Sequence, residues 1–186
     1  MKKWIWIVAV VALVALLIGA WFLYDNLKDK FLPDTLATQP EQDETEGNSP
    51  QMAPDITVYD AQGKAVKLSD MRGKPVVLNL WASWCSPCKQ EMPGFQSACE
   101  KYDGQVQFMM VNLTGQDKRE NAKAFLDQTG YTFPVYFDTD DSAAMNYSTG
   151  SIPTTIFIDK DGYLVTYAIG AISETVLEQG IGMIMK

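Results

Sequence analysis

The most apolar stretch of the chain lies close to its N-terminus. Residues 4–24 are 21 consecutive positions without a charged side chain, and only Gly19 among them falls outside the apolar set. A helix of this length covers roughly 30 Å, which is the thickness of the hydrocarbon core of a bilayer. The pattern therefore predicts a signal-anchor transmembrane helix at residues 1–24, with residues 4–24 in the lipid bilayer.

The short N-terminal flank of this segment predicts its orientation. Lys2 and Lys3 precede the apolar run, and basic residues beside a membrane span favour the cytoplasmic side. We therefore expect a single-pass protein of the cell membrane, with a cytoplasmic N-terminus and the rest of the chain outside. A cleaved signal peptide is the alternative, although its apolar region usually has about 7–15 residues.

Residues 25–52 have a very different composition. They contain seven acidic and two basic residues, a net charge of −5, and three prolines. Segments with high charge and few apolar residues do not bury enough surface to offset the entropy of ordering. We therefore expect a disordered tether at residues 25–52 that leads to one folded domain at residues 53–186.

Within residues 53–186 the periods of strands and helices alternate. The run VVLNLW at residues 76–81 is typical of a strand that is buried on both faces, and residues 107–113 form a second such run. The predicted elements are strands at 56–60, 65–68, 76–81, 107–113, 132–137, 154–158 and 163–169 and helices at 88–102, 118–129, 141–147 and from Ser173 onward. This order predicts an α/β fold with a central mixed β-sheet flanked by helices and an N-terminal β-hairpin extension.

The composition excludes several kinds of chemistry. The chain has 15 Lys and Arg residues against 23 Asp and Glu residues, a formal charge of −8, and no histidine. Nucleic acid is not an expected partner, because phosphate contacts need clustered basic residues. Without histidine, a Ser-His-Asp or Cys-His nucleophile and an imidazole metal ligand are also excluded.

The remaining chemistry is concentrated at Cys85 and Cys88. Two cysteines separated by two residues form half of a zinc site, a haem attachment site or a reversible dithiol. Lys89 stands where haem attachment needs a histidine, and a zinc site needs further ligands. Cys85 follows a predicted strand and opens a predicted helix, where the helix dipole stabilises a thiolate. A redox dithiol without metal or cofactor is therefore expected.

Three motifs resemble those of one protein family. Residues 79–93, NLWASWCSPCKQEMP, are similar to the active-site segment of the thioredoxin superfamily, and within it to the TlpA/ResA-like thiol–disulfide oxidoreductases. Residues 68–75, LSDMRGKP, resemble the segment that precedes the active-site segment in this family. Residues 152–162, IPTTIFIDKDG, resemble its cis-proline loop and the following hairpin. The resemblance implies a thioredoxin-like fold over residues 53–186. A membrane anchor fits family members that work outside the cytoplasmic membrane.

The resemblance also implies roles for individual residues. Cys85 would be the attacking thiol and Cys88 the resolving thiol of a redox disulfide, Cys85–Cys88. Pro153 would be cis and would pack beside this disulfide, and the backbone of Ile152 would pair with an extended substrate strand. Trp84 would cover the thiol or contact substrate, and an aromatic residue that is merely partly exposed is an equally good interpretation.

Two positions bear on proton transfer. Asn79 stands six residues before Cys85, where thioredoxins usually carry a buried aspartate, and an amide does not accept the proton of Cys88. Glu91 lies three residues after Cys88, on the same helical face, and the matching glutamate of the family is implicated in the acid–base behaviour of the dithiol. The hypothesis is that Glu91 handles protons for Cys88; a solvated helix carboxylate is the alternative.

The third cysteine is expected to have a structural role. Cys99 shares a helical face with Phe95, Ala98 and Tyr102. Such a position predicts a small core residue. A peripheral thiol that oxidises or pairs is the alternative.

Together these features predict a reductase of extracytoplasmic protein disulfides, for example in cytochrome c maturation or disulfide repair. Strong oxidants of the superfamily carry a histidine between the two cysteines, whereas this chain carries Ser86 and Pro87, so its couple should be less oxidising. The expected partners are disulfide-containing proteins and a membrane-embedded thiol donor (CcdA/DsbD-like). A tethered thiol-based copper carrier and a peroxiredoxin-type peroxidase are the alternatives.

Overall fold

A computed structural model describes residues 50–147 and 150–186. The predicted transmembrane helix at residues 4–24 and nearly all of the predicted tether lie outside these residues. Within the described ranges, no helix has the length and apolar character needed to cross a membrane.

The described residues form seven strands and four α-helices. The strands are β1 Thr57–Tyr59, β2 Ala65–Lys67, β3 Val76–Trp81, β4 Gln107–Asn112, β5 Val135–Phe137, β6 Thr154–Ile158 and β7 Leu164–Ile169. The helices are α1 Ser86–Lys101, α2 Arg119–Thr129, α3 Ser142–Tyr147 and α4 Glu174–Ile184, and a 3-10 turn covers Leu68–Met71. Every strand and helix predicted within residues 53–186 is present, with shifts of a few residues at the ends.

Helix α1 begins two residues earlier than the apolar periodicity predicts. Cys85 has extended backbone angles and its sulfur accepts from the backbone N–H of Cys88, so it acts as the helix N-cap. Pro87 lies in the first turn, where the missing N–H of proline has no cost. The helix therefore starts at Ser86, directly after the first cysteine.

All seven strands belong to one mixed sheet. Their order is β2–β1–β5–β4–β3–β6–β7. Strand β3 lies near the centre, parallel to β4 and antiparallel to β6, and all six of its residues are buried. The hairpin β1–β2 extends the sheet beyond β5, to which β1 pairs antiparallel. The mixed sheet and the N-terminal hairpin predicted from the sequence are thus present.

The side chains of β3 alternate between two core clusters. Val77 and Trp81 pack in the cluster that includes residues of α1, α2 and α4, whereas Leu78 and Leu80 pack in the cluster that includes residues of α3. Because successive side chains of a strand point to opposite faces, Asn79 lies on the same face as Val77 and Trp81. The only polar side chain of this strand is therefore directed toward α1.

The described chain begins at the end of the sheet that is opposite to the two cysteines. Ala53 donates its backbone N–H to Gly162 in the β6–β7 turn, and Met52 forms an isolated bridge with Tyr163. This turn lies beside the start of β3, because Val76 pairs with the last residue of β6. Cys85, in contrast, follows the end of β3.

Candidate active site

Cys85 and Cys88 are joined by a disulfide at the start of α1. The S–S distance is 2.04 Å and the two Cα atoms are 5.3 Å apart. Sγ of Cys85 accepts a hydrogen bond from the backbone N–H of Cys88 at 3.2 Å. Cys88 is fully buried, whereas Cys85 retains 3% of its surface exposed. Of the two sulfur-bearing residues, Cys85 is thus the one that an incoming group reaches first.

The loop before β6 packs against this disulfide. The peptide bond between Ile152 and Pro153 is cis, and the carbonyl oxygen of Ile152 lies 3.8 Å from Sγ of Cys85. The carbonyl of Pro153 accepts from the backbone N–H of Gly170, so the loop is fixed to the residue that follows β7. The structure therefore brings together the cysteine pair and the Ile152–Pro153 segment singled out in the sequence.

Glu91 lies inside the protein, one turn after Cys88. Only 6% of its surface is exposed, and its two carboxyl oxygens accept from Nδ2 of Asn79 at 2.8 Å and from the backbone N–H of Ile172 at 3.0 Å. Burial raises the pKa of Glu91 to about 7, although both hydrogen bonds act in the opposite direction. The carboxyl is therefore not solvated, and it can gain or lose a proton near neutral pH.

Trp84 lies on the surface beside the disulfide. Its side chain is 59% exposed, and its indole N–H donates to the backbone carbonyl of Gln116 at 2.9 Å. An aromatic side chain that is exposed and yet held by a hydrogen bond offers a rigid apolar contact for another molecule. Trp84 is thus at least partly exposed, and its contact with substrate stays a prediction.

The sequence motifs did not reveal Asp117, which holds the segment that leads to Cys85. Its buried carboxylate accepts from the backbone N–H of Ser83 at 2.6 Å, from the hydroxyl of Ser83 at 2.8 Å, from Nδ2 of Asn112 at 2.9 Å and from the N–H of Lys118 at 2.8 Å. A signal for it existed, because polar residues that follow parallel neighbours such as β3 and β4 meet at one edge of a sheet.

Cys99 stands apart from this chemistry. Its thiol is free and partly buried, and it packs against the core cluster beside α1. Burial raises its pKa, and the nearby carboxylates of Asp103 and Glu100 raise it further. A raised pKa leaves the thiol protonated at neutral pH, which fits a packing role for Cys99.

The geometry is that of a dithiol that can be oxidised and reduced. In the part of the chain that the structure describes, no group of three or more Cys, Asp or Glu side chains is placed to hold a metal ion. A cysteine pair joined by a disulfide at a helix N-terminus, where a thiolate is stabilised, can take part in thiol–disulfide exchange.

Comparison with known proteins gives the family. Residues 50–167 match the AhpC/TSA family. The chain is 32% identical over 184 residues to the thioredoxin-like protein YneN of Bacillus subtilis, which covers 98% of this chain and 99% of that protein. It is 37% identical over 128 residues to the thiol-disulfide oxidoreductase ResA of Geobacillus thermodenitrificans, covering 68% of this chain and 72% of that protein.

A solved structure gives the same result at the level of the fold. The exposed lipoprotein thioredoxin Etrx1 of Streptococcus pneumoniae superposes with a TM-score of 0.62 and 28% identity, covering 69% of this chain and 98% of that chain. The fold is therefore thioredoxin-like. From these similarities and the Cys85–Cys88 pair, the chain belongs to the AhpC/TSA family and is a thiol–disulfide oxidoreductase of the ResA type.

Proposed function

We propose that the protein is a membrane-tethered, extracytoplasmic reductase of protein disulfides. The observation that carries this proposal is the contact between Cys85 and the Ile152 carbonyl at the edge of the buried disulfide. An extended substrate strand that pairs with the backbone of Ile152 would bring its own disulfide to Cys85. Trp84, which directly precedes Cys85 and is exposed, would provide an apolar contact.

The reaction would proceed by two thiol exchanges. The thiolate of Cys85 attacks one sulfur of the substrate disulfide, forms a mixed disulfide and releases the other substrate sulfur as a thiolate. Cys88 then loses its proton and attacks Cys85, which closes the Cys85–Cys88 disulfide and releases the second substrate thiolate. Two electrons pass from the enzyme to the substrate. The Cys85 proton is lost when its thiolate forms, the Cys88 proton is lost before the second attack, and the two released thiolates take up protons from water.

Glu91 is the proposed acceptor of the Cys88 proton. It follows Cys88 by one helical turn, and its buried carboxyl titrates near neutral pH. General bases work best when their pKa lies near the operating pH. The chain has no histidine that could serve in its place. Measuring the alkylation rate of Cys88 against pH in Glu91→Gln tests this role, and a pH profile identical to the wild type would contradict it.

The location is part of the proposal and rests on the sequence. The charge-free segment at residues 4–24 and the acidic segment at residues 25–52 supply an anchor and a tether. The similarity to YneN extends over 98% of the chain and so includes both segments, and Etrx1 is described as exposed. A flexible tether of this length reaches on the order of 30 Å, which would let the domain turn its disulfide toward a membrane-embedded donor.

That donor would return the enzyme to its dithiol form. A membrane-embedded thiol donor of the CcdA/DsbD class supplies two electrons and two protons to the Cys85–Cys88 disulfide. The substrates would be disulfides of extracytoplasmic proteins, for example the haem-site disulfides of apocytochromes c, or non-native disulfides in need of repair. Neither class requires a cofactor on this chain.

The decisive experiment traps the substrates. In Cys88→Ser the mixed disulfide on Cys85 is not resolved, so substrates remain attached and mass spectrometry identifies them. Cys85→Ser is the matched control and should trap none. We expect the trapped proteins to be extracytoplasmic proteins with cysteine pairs. If only cytoplasmic proteins were trapped, the proposed location would be contradicted.

Two further measurements separate the proposal from its alternatives. A redox titration should give a potential well below that of strong oxidants, and a value near about −120 mV would contradict the direction of electron flow. The reduced domain should reduce insulin disulfides. Tight copper binding without insulin reduction would instead favour a thiol-based carrier, and rapid consumption of peroxide would favour a peroxidase.

A further inference from the structure

Asn79 is buried between Glu91 and Thr155. Its Nδ2 donates to Oε1 of Glu91 at 2.8 Å and to Oγ1 of Thr155 at 3.0 Å, and its surface is 0% exposed. Both Nδ2 hydrogens are therefore used, whereas the buried Oδ1 has no hydrogen-bond partner among the residues that the structure describes. Buried polar atoms are rarely left unpaired, so the unpaired Oδ1 of Asn79 requires a physical explanation.

The observed orientation of the amide suits an ionised Glu91. A carboxylate only accepts hydrogen bonds, so the Nδ2 end of Asn79 must face it. The second oxygen, Oε2, accepts from the backbone N–H of Ile172, a donor that has no other orientation. A proton that arrives on the carboxyl is thus best accommodated on Oε1, where it would meet Nδ2, which is also a donor.

Half a turn about the Cβ–Cγ bond of Asn79 removes this conflict. Oδ1 then accepts from the protonated Oε1 of Glu91, and the hydroxyl of Thr155, which can donate as well as accept, donates to Oδ1. Thr155 is well placed to reverse the direction of this hydrogen bond, because it is the direct cross-strand partner of Asn79. Each orientation makes two hydrogen bonds and leaves one end of the amide unpaired, so the proton on Glu91 selects between them.

The surroundings of Glu91 contribute little charge that would oppose this selection. Strands β3 and β6 present the uncharged Asn79 and Thr155, and the cysteines carry no charge while they are bonded to each other. From α4, the exposed Glu174 lies against Gly94, about one turn further along α1.

We propose that Asn79 is a positioning residue whose amide donates to ionised Glu91 and, after half a turn, accepts from protonated Glu91. The carboxyl can then exchange a proton with Cys88 while it remains in place. An aspartate at position 79 would itself titrate and would compete for the same proton, which an amide does not. This inference rests on the proposed function, because it gives Glu91 a partner for both states of the proton transfer.

The test is a pH titration of the oxidised full-length protein by NMR, since neither active-site thiol titrates in the disulfide. The Glu91 carboxyl carbon reports the ionisation, and the nuclear Overhauser effect between the Asn79 Nδ2 protons and the Glu91 Cγ protons reports the orientation of the amide. We expect this effect above the Glu91 transition and its loss below, with one shared midpoint. An effect of constant strength across the transition would overturn the proposal.

Two variants add a second readout. In Glu91→Gln, the side-chain oxygen can face the Ile172 N–H while the amide nitrogen faces Asn79, so the turned orientation should persist at every pH. If Asn79 donates to ionised Glu91 and accepts from protonated Glu91, it stabilises both forms, so Asn79→Leu should change the pKa of Glu91 by less than about half a unit. If Asn79 only donates, it stabilises the ionised form alone, and Asn79→Leu would raise this pKa by about one unit or more. Asn121→Leu, on the surface of α2, is the control.

The proposed function and this inference fail in distinguishable ways. If the amide turns with Glu91 but the alkylation profile of Cys88 in Glu91→Gln equals that of the wild type, the positioning of Glu91 stands and its role in proton transfer is wrong. If the alkylation profile of Cys88 changes in Glu91→Gln but the amide of Asn79 does not turn, Glu91 accepts the Cys88 proton, and the proposal that Asn79 both donates to and accepts from Glu91 is wrong.

Discussion

Asp117 holds Ser83 by two hydrogen bonds to one carboxylate. The backbone N–H of Ser83 donates to Oδ2 at 2.6 Å and its hydroxyl donates to Oδ1 at 2.8 Å. Ser83 lies two residues before Cys85, and the indole of Trp84 between them donates to Gln116. The loop that follows β4 therefore fixes the path of the chain into the disulfide, and the position of Cys85 depends on a residue far from it in sequence.

Replacing Asp117 by asparagine should weaken both stability and catalysis. An amide offers one acceptor in place of two and turns its NH2 group toward a donor on Ser83. Loss of buried hydrogen bonds to a charged group costs about 1–3 kcal/mol, which urea unfolding would measure. We expect a lower kcat/KM for insulin reduction as well, because the segment before Cys85 loses its support.

The acid range gives a second test of Asp117. Burial raises its pKa, but hydrogen bonds from Asn112, Ser83 and Lys118 outweigh burial, so the pKa is lowered overall. A lowered pKa contributes stability above the unfolded value, about 3.9, which is lost as the pH falls through the folded value. Asp117→Asn should lack this loss, whereas Asp127→Asn, exposed on α2, should retain it. Equal acid profiles in both variants would mean that the hydrogen bonds of Asp117 to Ser83 do not lower its pKa in the folded state.

Local patterns predicted the elements well, because their causes lie within a few residues. The continuous apolar run of β3 follows from burial on both faces, and the start of α1 follows from the sequence around Cys85 and Pro87. The partners of the site are different. Asp117 reaches Ser83 across 34 residues, and the Ile172 N–H reaches Glu91 across 81 residues. Only the sheet order brings such pairs together, so their contacts had no local signal.

Two glycines of α4 should respond in opposite ways to alanine. A Cβ at Gly180 would lie 2.3 Å from ring carbons of the buried Phe157, whereas a Cβ at Gly182 would meet no atom within 4 Å. Overpacking of a core typically costs about 1–3 kcal/mol, so Gly180→Ala should lower the free energy of unfolding by about this amount. Gly182→Ala should raise it by about 0.5–1 kcal/mol, since glycine is unfavourable in helices.

Thermal or urea unfolding of both variants checks this pair. Because both changes add one methyl group to the same helix, differences in composition cancel between them. A destabilisation of Gly182→Ala comparable to that of Gly180→Ala would mean that the close contact with Phe157 is not what keeps position 180 small.

Trp84 should matter for substrate binding and little for folding. Its side chain is 59% exposed, and exposed aromatic side chains near the centre of a contact carry much of the binding energy. Trp84→Ala should raise KM for a protein disulfide several-fold, while the free energy of unfolding changes by less than about 1 kcal/mol. The control is Met145→Ala on α3, which removes a side chain that is 82% exposed. Equal KM values for the two variants would contradict a substrate contact at Trp84.

Glu91 should make the oxidised protein less stable as the pH rises toward neutrality. Burial raises its pKa from 4.5 to about 7, so the folded state holds a proton that the unfolded state releases between these values. The stability contributed by the protonated carboxyl is complete below the unfolded pKa and is lost as the pH rises through the folded pKa. A pKa of about 7 in the folded state against 4.5 in the unfolded chain corresponds to about 3 kcal/mol. Urea unfolding at several pH values between 4 and 8 would resolve this decline in stability.

Glu91→Gln should remove the decline, because glutamine does not ionise. Glu178→Gln, which removes a carboxyl whose pKa is lowered by its bond to Lys101, should keep it. If Glu91→Gln retains the full decline, another group carries the proton, and Glu91 loses its place as the partner of Cys88.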